Sequence, residues 1–175
     1  MLRQFIRTGD TAIDATCGNG NDTLLLAEIV GVSGRVWAFD IQSEAIAETA
    51  RKLSEAGYLD RVKLVQSGHE NMAQVVRGNV NGIIFNLGYL PGGDHTIVTC
   101  AGTTVTAMEQ SLKLLTGRGV LAITVYPGHT GGEIEQRAVT DWATVCDPKA
   151  FHVWRMGQLN VAPGAPHFIM IQKVN

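Results

Sequence analysis

The sequence of 175 residues has only three cysteines, Cys17, Cys100 and Cys146, and no Cys-x-x-Cys pair. An odd number of scattered cysteines argues against a disulfide framework and a structural zinc site, and it is typical of a reducing compartment. No apolar run approaches the roughly 20 residues that cross a bilayer, and residues 1–10 lack the apolar core of a signal peptide. We therefore expect a cytoplasmic protein with no membrane partner.

The chain also has no strong charge of one sign. It contains 14 Lys and Arg and 16 Asp and Glu, for a formal net charge of −2. A nucleic-acid partner would therefore need a local basic patch. Apolar residues make up 45% of the chain and charged residues 17%, a globular composition that argues against a disordered tail. The length predicts one domain over residues 1–175, and no metal-ligand cluster stands at a recognisable spacing.

Short apolar runs alternate with helical patterns along the chain. The alternation predicts five strands, each followed by a helix, and two last strands with no helix between them, which we expect to be antiparallel neighbours. This pattern predicts an α/β fold, Rossmann-like and doubly wound, with a seven-stranded, mostly parallel sheet and helices on both faces. The predicted strands are 11–15, 36–39, 62–65, 82–85, 120–125, 151–155 and 168–174. The predicted helices are 22–30, 43–56 with Ser43 as N-cap, 71–76, about 105–115, and 133–143.

Polar residues stand where five of the predicted strands end: Asp14, Asp40, the Gly68-His69-Glu70 turn, Asn86 and Tyr126. In a doubly wound sheet, ligands bind at the carboxyl ends of the strands. The sequence therefore predicts a binding site at this edge of the sheet.

The segment after the first strand, Asp14-Ala15-Thr16-Cys17-Gly18-Asn19-Gly20-Asn21, has two glycines that permit a tight turn at a helix N-terminus. A dinucleotide site would carry a third glycine where Thr23 stands, and a P-loop would carry Gly-Lys-Ser/Thr, which is absent. Asp14 instead suits a cationic ligand with an amino group and a sulfonium, and Asp40 can accept both ribose hydroxyls of an adenosine. The combination resembles the S-adenosylmethionine (SAM) site of class I methyltransferases, which have seven strands with the last one antiparallel.

This resemblance implies that residues from four strand ends hold SAM, with Glu70 near the adenine. The residues are Asp14, Thr16, Gly18, Asn19, Gly20, Asn21 and Asp22 after the first strand, Asp40, Ile41 and Gln42 after the second, His69 and Glu70 after the third, and Asn86 after the fourth.

The segment Asn86-Leu87-Gly88-Tyr89 resembles the Asn/Asp-Pro-Pro-Tyr segment of amino-group methyltransferases, with Leu-Gly in place of Pro-Pro. In those enzymes an amide oxygen and a backbone carbonyl accept hydrogen bonds from the target amine, and the tyrosine packs on the substrate base. The resemblance implies these roles for Asn86, the Leu87 carbonyl and Tyr89, with His95 or His129 as proton acceptor. The alternative is a glycine-rich turn with Tyr89 packed inward.

Longer segments resemble one small bacterial family, the rRNA methylases: Asp14-Ala15-Thr16 with Gly18-Asn19-Gly20 and Asp22-Thr23, the run from Asn86 to His95, and Tyr126-Pro127-Gly128-His129 with Gly131, Gly132 and Glu133. Its characterised members methylate the amino group of wobble 5-aminomethyl-2-thiouridine in tRNA. The resemblance implies the tRNA anticodon region as partner and Asn86, Tyr89 and His129 as catalytic residues. The substrate-binding residues it implies are Leu87, Gly88, Tyr89, Pro91, Tyr126, Pro127, Gly128, His129 and Asn160.

The sequence departs from this family in two places. Family members usually carry a helix before the first strand, where about ten residues stand here. They also tend to have Asn, four residues and Pro-Pro near the end, whereas Asn160 is followed here by Pro163-Gly164-Ala165-Pro166. The alternatives left open are an rRNA or small-molecule N- or O-methyltransferase, a module that only binds SAM and, more distantly, an NAD-linked oxidoreductase. The oligomeric state stays open, and a homodimer is compatible with the sequence.

Overall fold

In the computed structural model, which describes residues 2–161 and 164–175, seven strands form one sheet. Their spatial order is 3-2-1-4-5-7-6. The first five pair in parallel, and the seventh pairs antiparallel with both the fifth and the sixth, so the predicted topology is confirmed. In chain order the strands are β1 (Thr11–Asp14), β2 (Arg35–Asp40), β3 (Val62–Gln66), β4 (Val80–Leu87), β5 (Leu115–Val125), β6 (Phe151–Gly157) and β7 (His167–Lys173).

Helices cover both faces of the sheet, as the apolar character of its strands predicts. They are α1 (Asn21–Val30), α2 (Ser43–Glu55), α3 (Met72–Val75), α4 (Ala101–Leu114) and α5 (Gly132–Thr144). Helices α1 and α2 pack on the face that contains Ala12 and Ile84. Helices α3, α4 and α5 pack on the face that contains Ile13 and Ile83. Neighbouring residues of one strand therefore belong to two separate cores, because successive side chains point to opposite faces.

Several predicted boundaries differ from the structure, by one to five residues. Ser43 is the first residue of α2 rather than its N-cap, which is Gln42, and the Ser43 hydroxyl donates to the Glu44 carboxylate instead. Strand β5 begins at Leu115, directly after α4, where the sequence predicted the end of a helix. Strand β4 continues to Leu87. Asn86 is therefore the second-last residue of the strand and does not follow it. Among the described residues, no helix is both long and apolar enough to cross a membrane.

Candidate active site

A cavity of about 790 Å³ opens at the carboxyl ends of β1 to β5, where the sequence predicts a site. The structure brings most of the predicted residues together around it. Those that line the cavity are Thr16, Gly18, Asn19, Asn21, Asp22, Asp40, Ile41, Gln42, His69, Glu70, Asn86, Gly88, Tyr89, Pro91, Tyr126, Pro127 and Gly128. The remaining predicted residues, Asp14, Gly20, Leu87, His129 and Asn160, do not line it.

The carboxylate of Asp40 holds the loop between β1 and α1. Its Oδ2 accepts a hydrogen bond from the Gly18 amide at 2.9 Å, and its Oδ1 accepts one from the Gln42 amide at 3.0 Å. Gly18 has a φ of 49°, which favours glycine. Each carboxylate oxygen can accept a further hydrogen bond, so Asp40 can still serve as acceptor for a ligand in the cavity.

Asp14 lies beneath this loop rather than on the cavity wall, because its side chain points into the core. It is fully buried, accepts a hydrogen bond from the Thr23 hydroxyl at 2.6 Å and accepts another from the Thr16 amide at 3.2 Å. Burial raises the pKa of Asp14 to about 7, although the Thr23 hydrogen bond opposes the rise and nearby Asp22 adds to it. In this geometry Asp14 supports the loop from below, and its contact with a cationic ligand stays a prediction.

Gly20 is also turned away from the cavity, and it faces α2. It has a φ of 77°, and a Cβ added there would lie 2.8 Å from Thr49 Oγ1 and 2.9 Å from Thr49 Cα. Thr49 Oγ1 in turn donates to the Gly18 carbonyl at 3.0 Å. The second glycine of the loop therefore permits close packing of two helices, which is a different role from the predicted ligand contact.

His69 and Glu70 follow β3 at the far side of the cavity. His69 is buried with its ring edge-on to Phe85, and its Nε2 has no hydrogen-bond partner among the described residues. Burial lowers the pKa of His69, and the charge of Glu70 opposes this. A buried ring nitrogen without a partner is costly unless a ligand or water satisfies it, so His69 marks a place where a ligand can bind.

Asn86 is held at the end of β4 by two hydrogen bonds. Its backbone amide donates to Thr16 Oγ1 at 2.7 Å, and its side-chain Nδ2 donates to Asp22 Oδ2 at 2.7 Å. Asp22 lies in the first turn of α1. Because the amide nitrogen is engaged by a carboxylate, the orientation of the side chain is determined, and Oδ1 remains the acceptor of this group.

Leu87 continues the sheet instead of entering the site. Its side chain is buried, and its carbonyl accepts the backbone hydrogen bond from Tyr126 at 3.0 Å. The loop beyond it is closed by a hydrogen bond from the Thr99 amide to the Gly88 carbonyl at 2.9 Å and by a β-bridge between Tyr89 and Val98. The predicted contact of the Leu87 carbonyl with substrate therefore has to use its second lone pair.

Tyr89 is exposed rather than packed inward, which excludes the plain-turn alternative in this structure. Its exposed fraction is 40%. The ring lies 4.1 Å from the His95 ring, with an angle of 32° between the planes, and it also forms one wall of a second cavity of about 650 Å³. One aromatic side chain thus lies between two adjoining cavities.

His129 lies on the wall of that second cavity, and its side chain is almost fully buried. The side chain is 4% exposed, Nδ1 lies 3.0 Å from the Thr130 carbonyl oxygen, and Nε2 is buried 3.9 Å from Glu135 Oε2. The catalytic role of His129 stays a prediction. Asn160 is exposed and lines neither cavity, and Pro163 lies outside the described residues.

The model of the family described as "Putative rRNA methylase" matches residues 36–172. The chain belongs to this family. Its members are SAM-dependent methyltransferases, and the match confirms the family that the sequence motifs indicate.

Three relatives of this rRNA methylase chain are informative. A "tRNA (mnm(5)s(2)U34)-methyltransferase, chloroplastic" of Arabidopsis thaliana is 43% identical over 149 residues, which are 79% of this chain and 54% of that protein. The chain therefore spans about half the length of this relative. A "putative rRNA-methylase" of Clostridium thermocellum is 42% identical with a TM-score of 0.96, covering 98% of this chain and 92% of its own.

The third relative is a "putative methyltransferase" of Streptococcus mutans, solved in complex with SAH. It is 36% identical, covers 98% of this chain and 93% of its own, and has a TM-score of 0.90. The fold of the rRNA methylase chain is therefore also the fold of a protein that holds the demethylated form of SAM.

Sequence reasoning about this rRNA methylase missed several wall residues. They are Ala15, Cys17, Ser67, Gly68, Leu90, Ile97, Val98, Thr99, Cys100, Thr103, Gly164 and Pro166. It also missed Glu135, which is 1% exposed and accepts hydrogen bonds from the hydroxyls of Thr99 and Thr104. One signal was available, because Glu135 stands four residues before Val139 on the buried stripe of its helix. Among the described residues, no three His, Cys, Asp or Glu side chains are grouped to hold a metal ion.

Proposed function

We propose that the protein is a SAM-dependent N-methyltransferase that acts on the exocyclic amine of wobble 5-aminomethyl-(2-thio)uridine in tRNA. The observation that carries the proposal is the orientation of Asn86, whose Nδ2 donates to Asp22 at 2.7 Å. This bond leaves Oδ1 to accept a hydrogen from an amine at the mouth of the cavity. The name of the Arabidopsis relative, a methyltransferase of the modified wobble uridine, supports the choice of substrate.

The residues of the large cavity fit SAM. Asp40 has a free lone pair on each carboxylate oxygen for the ribose hydroxyls. His69 offers a buried Nε2 without a partner among the described residues, and Glu70 stands beside it on the same wall. When bound, SAM would supply a methyl group on a sulfonium, and the neutral thioether S-adenosylhomocysteine would be the leaving group.

Asn86 and Tyr89 position the substrate in this proposal. Asn86 Oδ1 accepts one N–H of the neutral amine and directs the nitrogen lone pair, and the exposed Tyr89 ring packs on the uracil. Alignment of this kind contributes about 7–11 kcal/mol to a barrier when the geometry is close to that of attack. A strong general base is not required when the amine arrives deprotonated, so the buried ring nitrogens of His129 are compatible with the reaction.

The anticodon region of tRNA is the proposed partner, and the cytoplasm is the proposed location. The three cysteines of the chain are free in the structure, as a reducing compartment requires. The homodimer stays a prediction, which the mass of the purified protein in solution tests.

The test uses purified protein, radiolabelled SAM and two tRNA preparations that differ in one group. One preparation carries 5-aminomethyl-2-thiouridine, and the control carries 2-thiouridine without the aminomethyl group. We expect label in the first preparation alone, with a gain of one methyl in the mass of the wobble nucleoside. Labelling of rRNA, of a small amine or of both tRNAs would overturn the substrate assignment. Activity on tRNA should fall steeply with salt, whereas activity on a small molecule should not.

A variant separates catalysis from binding. Asn86→Ala should lose methyl transfer while calorimetric titration still detects SAM, because the ribose and adenine contacts remain. A wild-type protein that binds SAM without transferring a methyl group to any of these substrates would instead be a binding module. Titration with NAD, expected to show no binding, addresses the oxidoreductase alternative.

A further inference from the structure

We propose that Glu135 is a positioning residue of this site, because its buried carboxylate holds the loop that carries Tyr89 against the loop that carries His129. The inference rests on the proposed function for its catalytic consequence. Its structural part, that one carboxylate controls the arrangement of the two loops, can be tested without substrate.

The carboxylate of Glu135 has specific partners on three sides. Oε1 accepts a hydrogen bond from Thr104 Oγ1 at 2.6 Å, and Oε2 accepts one from Thr99 Oγ1 at 2.7 Å. Oε2 also faces His129 Nε2 at 3.9 Å. A carboxylate that is 1% exposed is tolerated in a protein interior only when it is paired and hydrogen-bonded. The chain thus has a carboxylate, which is costly to bury, at a position on the buried face of α5 where an apolar residue would be expected.

Thr99 transmits this anchor to Tyr89. The Thr99 hydroxyl is held by Glu135, and its backbone amide donates to the Gly88 carbonyl at 2.9 Å, next to Tyr89. Tyr89 is also bridged to Val98, the residue before Thr99. The backbone around Tyr89 is therefore paired with residues 98 and 99, and Thr99 is in turn held by the Glu135 carboxylate.

His129, on the wall of the second cavity, lies next to the same carboxylate. The Thr130 carbonyl is an acceptor, so Nδ1 of His129 carries the hydrogen that lies between them at 3.0 Å. Nε2 is then the nitrogen that faces Glu135, 3.9 Å from Oε2. The His129 ring also meets the Tyr89 ring edge-on, with centroids 6.5 Å apart. Glu135 lies on α5, which begins three residues after His129, so its bond with Thr99 ties the Tyr89 loop to the His129 loop. Thr104, on α4, connects the same carboxylate to the scaffold.

A matched pair of isosteric variants tests the proposal. Thr99→Val and Thr104→Val each remove one hydroxyl from Glu135, but only the first releases the Tyr89 loop. We expect Thr99→Val to lower kcat on tRNA by about tenfold or more, since displacements near 1 Å cost up to about 100-fold. We expect Thr104→Val to lower kcat by less than about threefold, and both variants to bind SAM within about twofold of wild type, because neither change alters the ribose or adenine contacts.

Amide hydrogen exchange supplies the readout that needs no substrate. Faster exchange in residues 88–100 of Thr99→Val, but not of Thr104→Val, is the expected result, since local opening is reported segment by segment. Glu135→Gln, which keeps the shape and a hydrogen-bonding head group, should recover part of the kcat lost in Glu135→Ala.

Equal effects of the two threonine variants on kcat and on exchange in residues 88–100 would overturn the proposal, as would no effect from either. If the wild-type protein methylates no tRNA, the proposed function fails, and the exchange comparison still decides whether Glu135 positions the loop.

Discussion

Asn86 on β4 and Asp22 on α1 are joined by a side-chain hydrogen bond of 2.7 Å from Nδ2 to Oδ2. The bond joins two residues that line the large cavity and are 64 positions apart in the chain. Because it engages the amide nitrogen, it decides which atom of Asn86 faces a substrate. The role of Asn86 in the proposed reaction therefore depends on Asp22, which the sequence resemblance implied only as a SAM contact.

Replacement of Asp22 should uncouple turnover from SAM binding. In Asp22→Ala the Asn86 amide loses its charged partner and can rotate, so we expect kcat to fall by about 10- to 100-fold, as for other misplaced reacting groups. Affinity for SAM, measured by calorimetry, should change much less. Glu28→Gln is the matched control, because Glu28 is an exposed acid on the same helix, paired with Arg3 at 3.0 Å. Equal losses of turnover and SAM affinity would place Asp22 at the cofactor instead.

Asp40→Asn should lower the affinity for SAM and for S-adenosylhomocysteine by the same factor, because both compounds carry the ribose. Hydrogen bonds to charged groups contribute about 1.5–3 kcal/mol each, which corresponds to a loss of about 10- to 100-fold in affinity. Calorimetric titration of both compounds is the measurement. Asp60→Asn, at an exposed position, should leave both affinities unchanged. A wild-type SAM affinity in Asp40→Asn would contradict the assignment of Asp40 as the acceptor for the ribose hydroxyls.

Asp14 should make stability depend on pH in a direction opposite to that of a typical carboxylate. Burial raises the pKa of Asp14 from 3.8 to about 7 in the folded protein. Between these values the folded state keeps a proton that the unfolded state has lost, so this group's contribution to stability falls as pH rises from about 4 to 7. Asp14→Asn removes that dependence.

The stability of Asp14→Asn relative to wild type should therefore increase across this pH range by on the order of a few kcal/mol, since one pKa unit corresponds to about 1.4 kcal/mol. Denaturant unfolding at several pH values measures it. Asp141 is an exposed acid on α5. The free energy of unfolding of Asp141→Asn should change with pH in the same way as that of the wild type. A difference between Asp14→Asn and wild type that stays constant with pH would mean that Asp14 is ionised in the folded protein.

Gly20→Ala and Gly57→Ala form a comparison that isolates the contact between α1 and α2. Both glycines have positive φ, of 77° and 70°, but a Cβ meets Thr49 at 2.8 Å in the first case and nothing within 4 Å in the second. Left-handed backbone costs an alanine about 1–2 kcal/mol, so Gly57→Ala should lose that amount of unfolding free energy. Gly20→Ala should lose more, and similar losses in the two variants would show that the helices can move apart.

Much of the fold could be predicted from the chain because apolar strands and helical stripes leave local patterns. The antiparallel pairing of the last two strands, predicted over 151–155 and 168–174, followed from the absence of room for a helix between them. Boundaries were less certain where local signals compete. The Ser43 hydroxyl donates to Glu44 instead of capping its helix, and β5 starts at Leu115, which the helical pattern still included.

The location of the site could be predicted from the sequence, but the roles of its residues could be predicted only in part. Asp40 and Asn86 follow strands whose direction the alternation establishes, so their meeting at one edge was foreseeable. The burial of Asp14 and the contact of Gly20 with Thr49 were not, because they depend on which way a side chain leaves the backbone and on how closely two helices pack. Glu135 escaped notice because an acid on an amphipathic helix is usually exposed.

The sequence by itself determined the alternation of strands and helices, the edge of the sheet at which polar residues gather, and the motifs that the rRNA methylases share. These features are local in the chain, so residue type and spacing are sufficient to specify them. The tertiary structure alone decided that Asp22 orients Asn86, that Asp14 lies below the loop, and that Thr99, Thr104 and His129 converge on Glu135. Those relationships join residues from 6 to 64 positions apart, and such side-chain geometry exists only once the elements have packed.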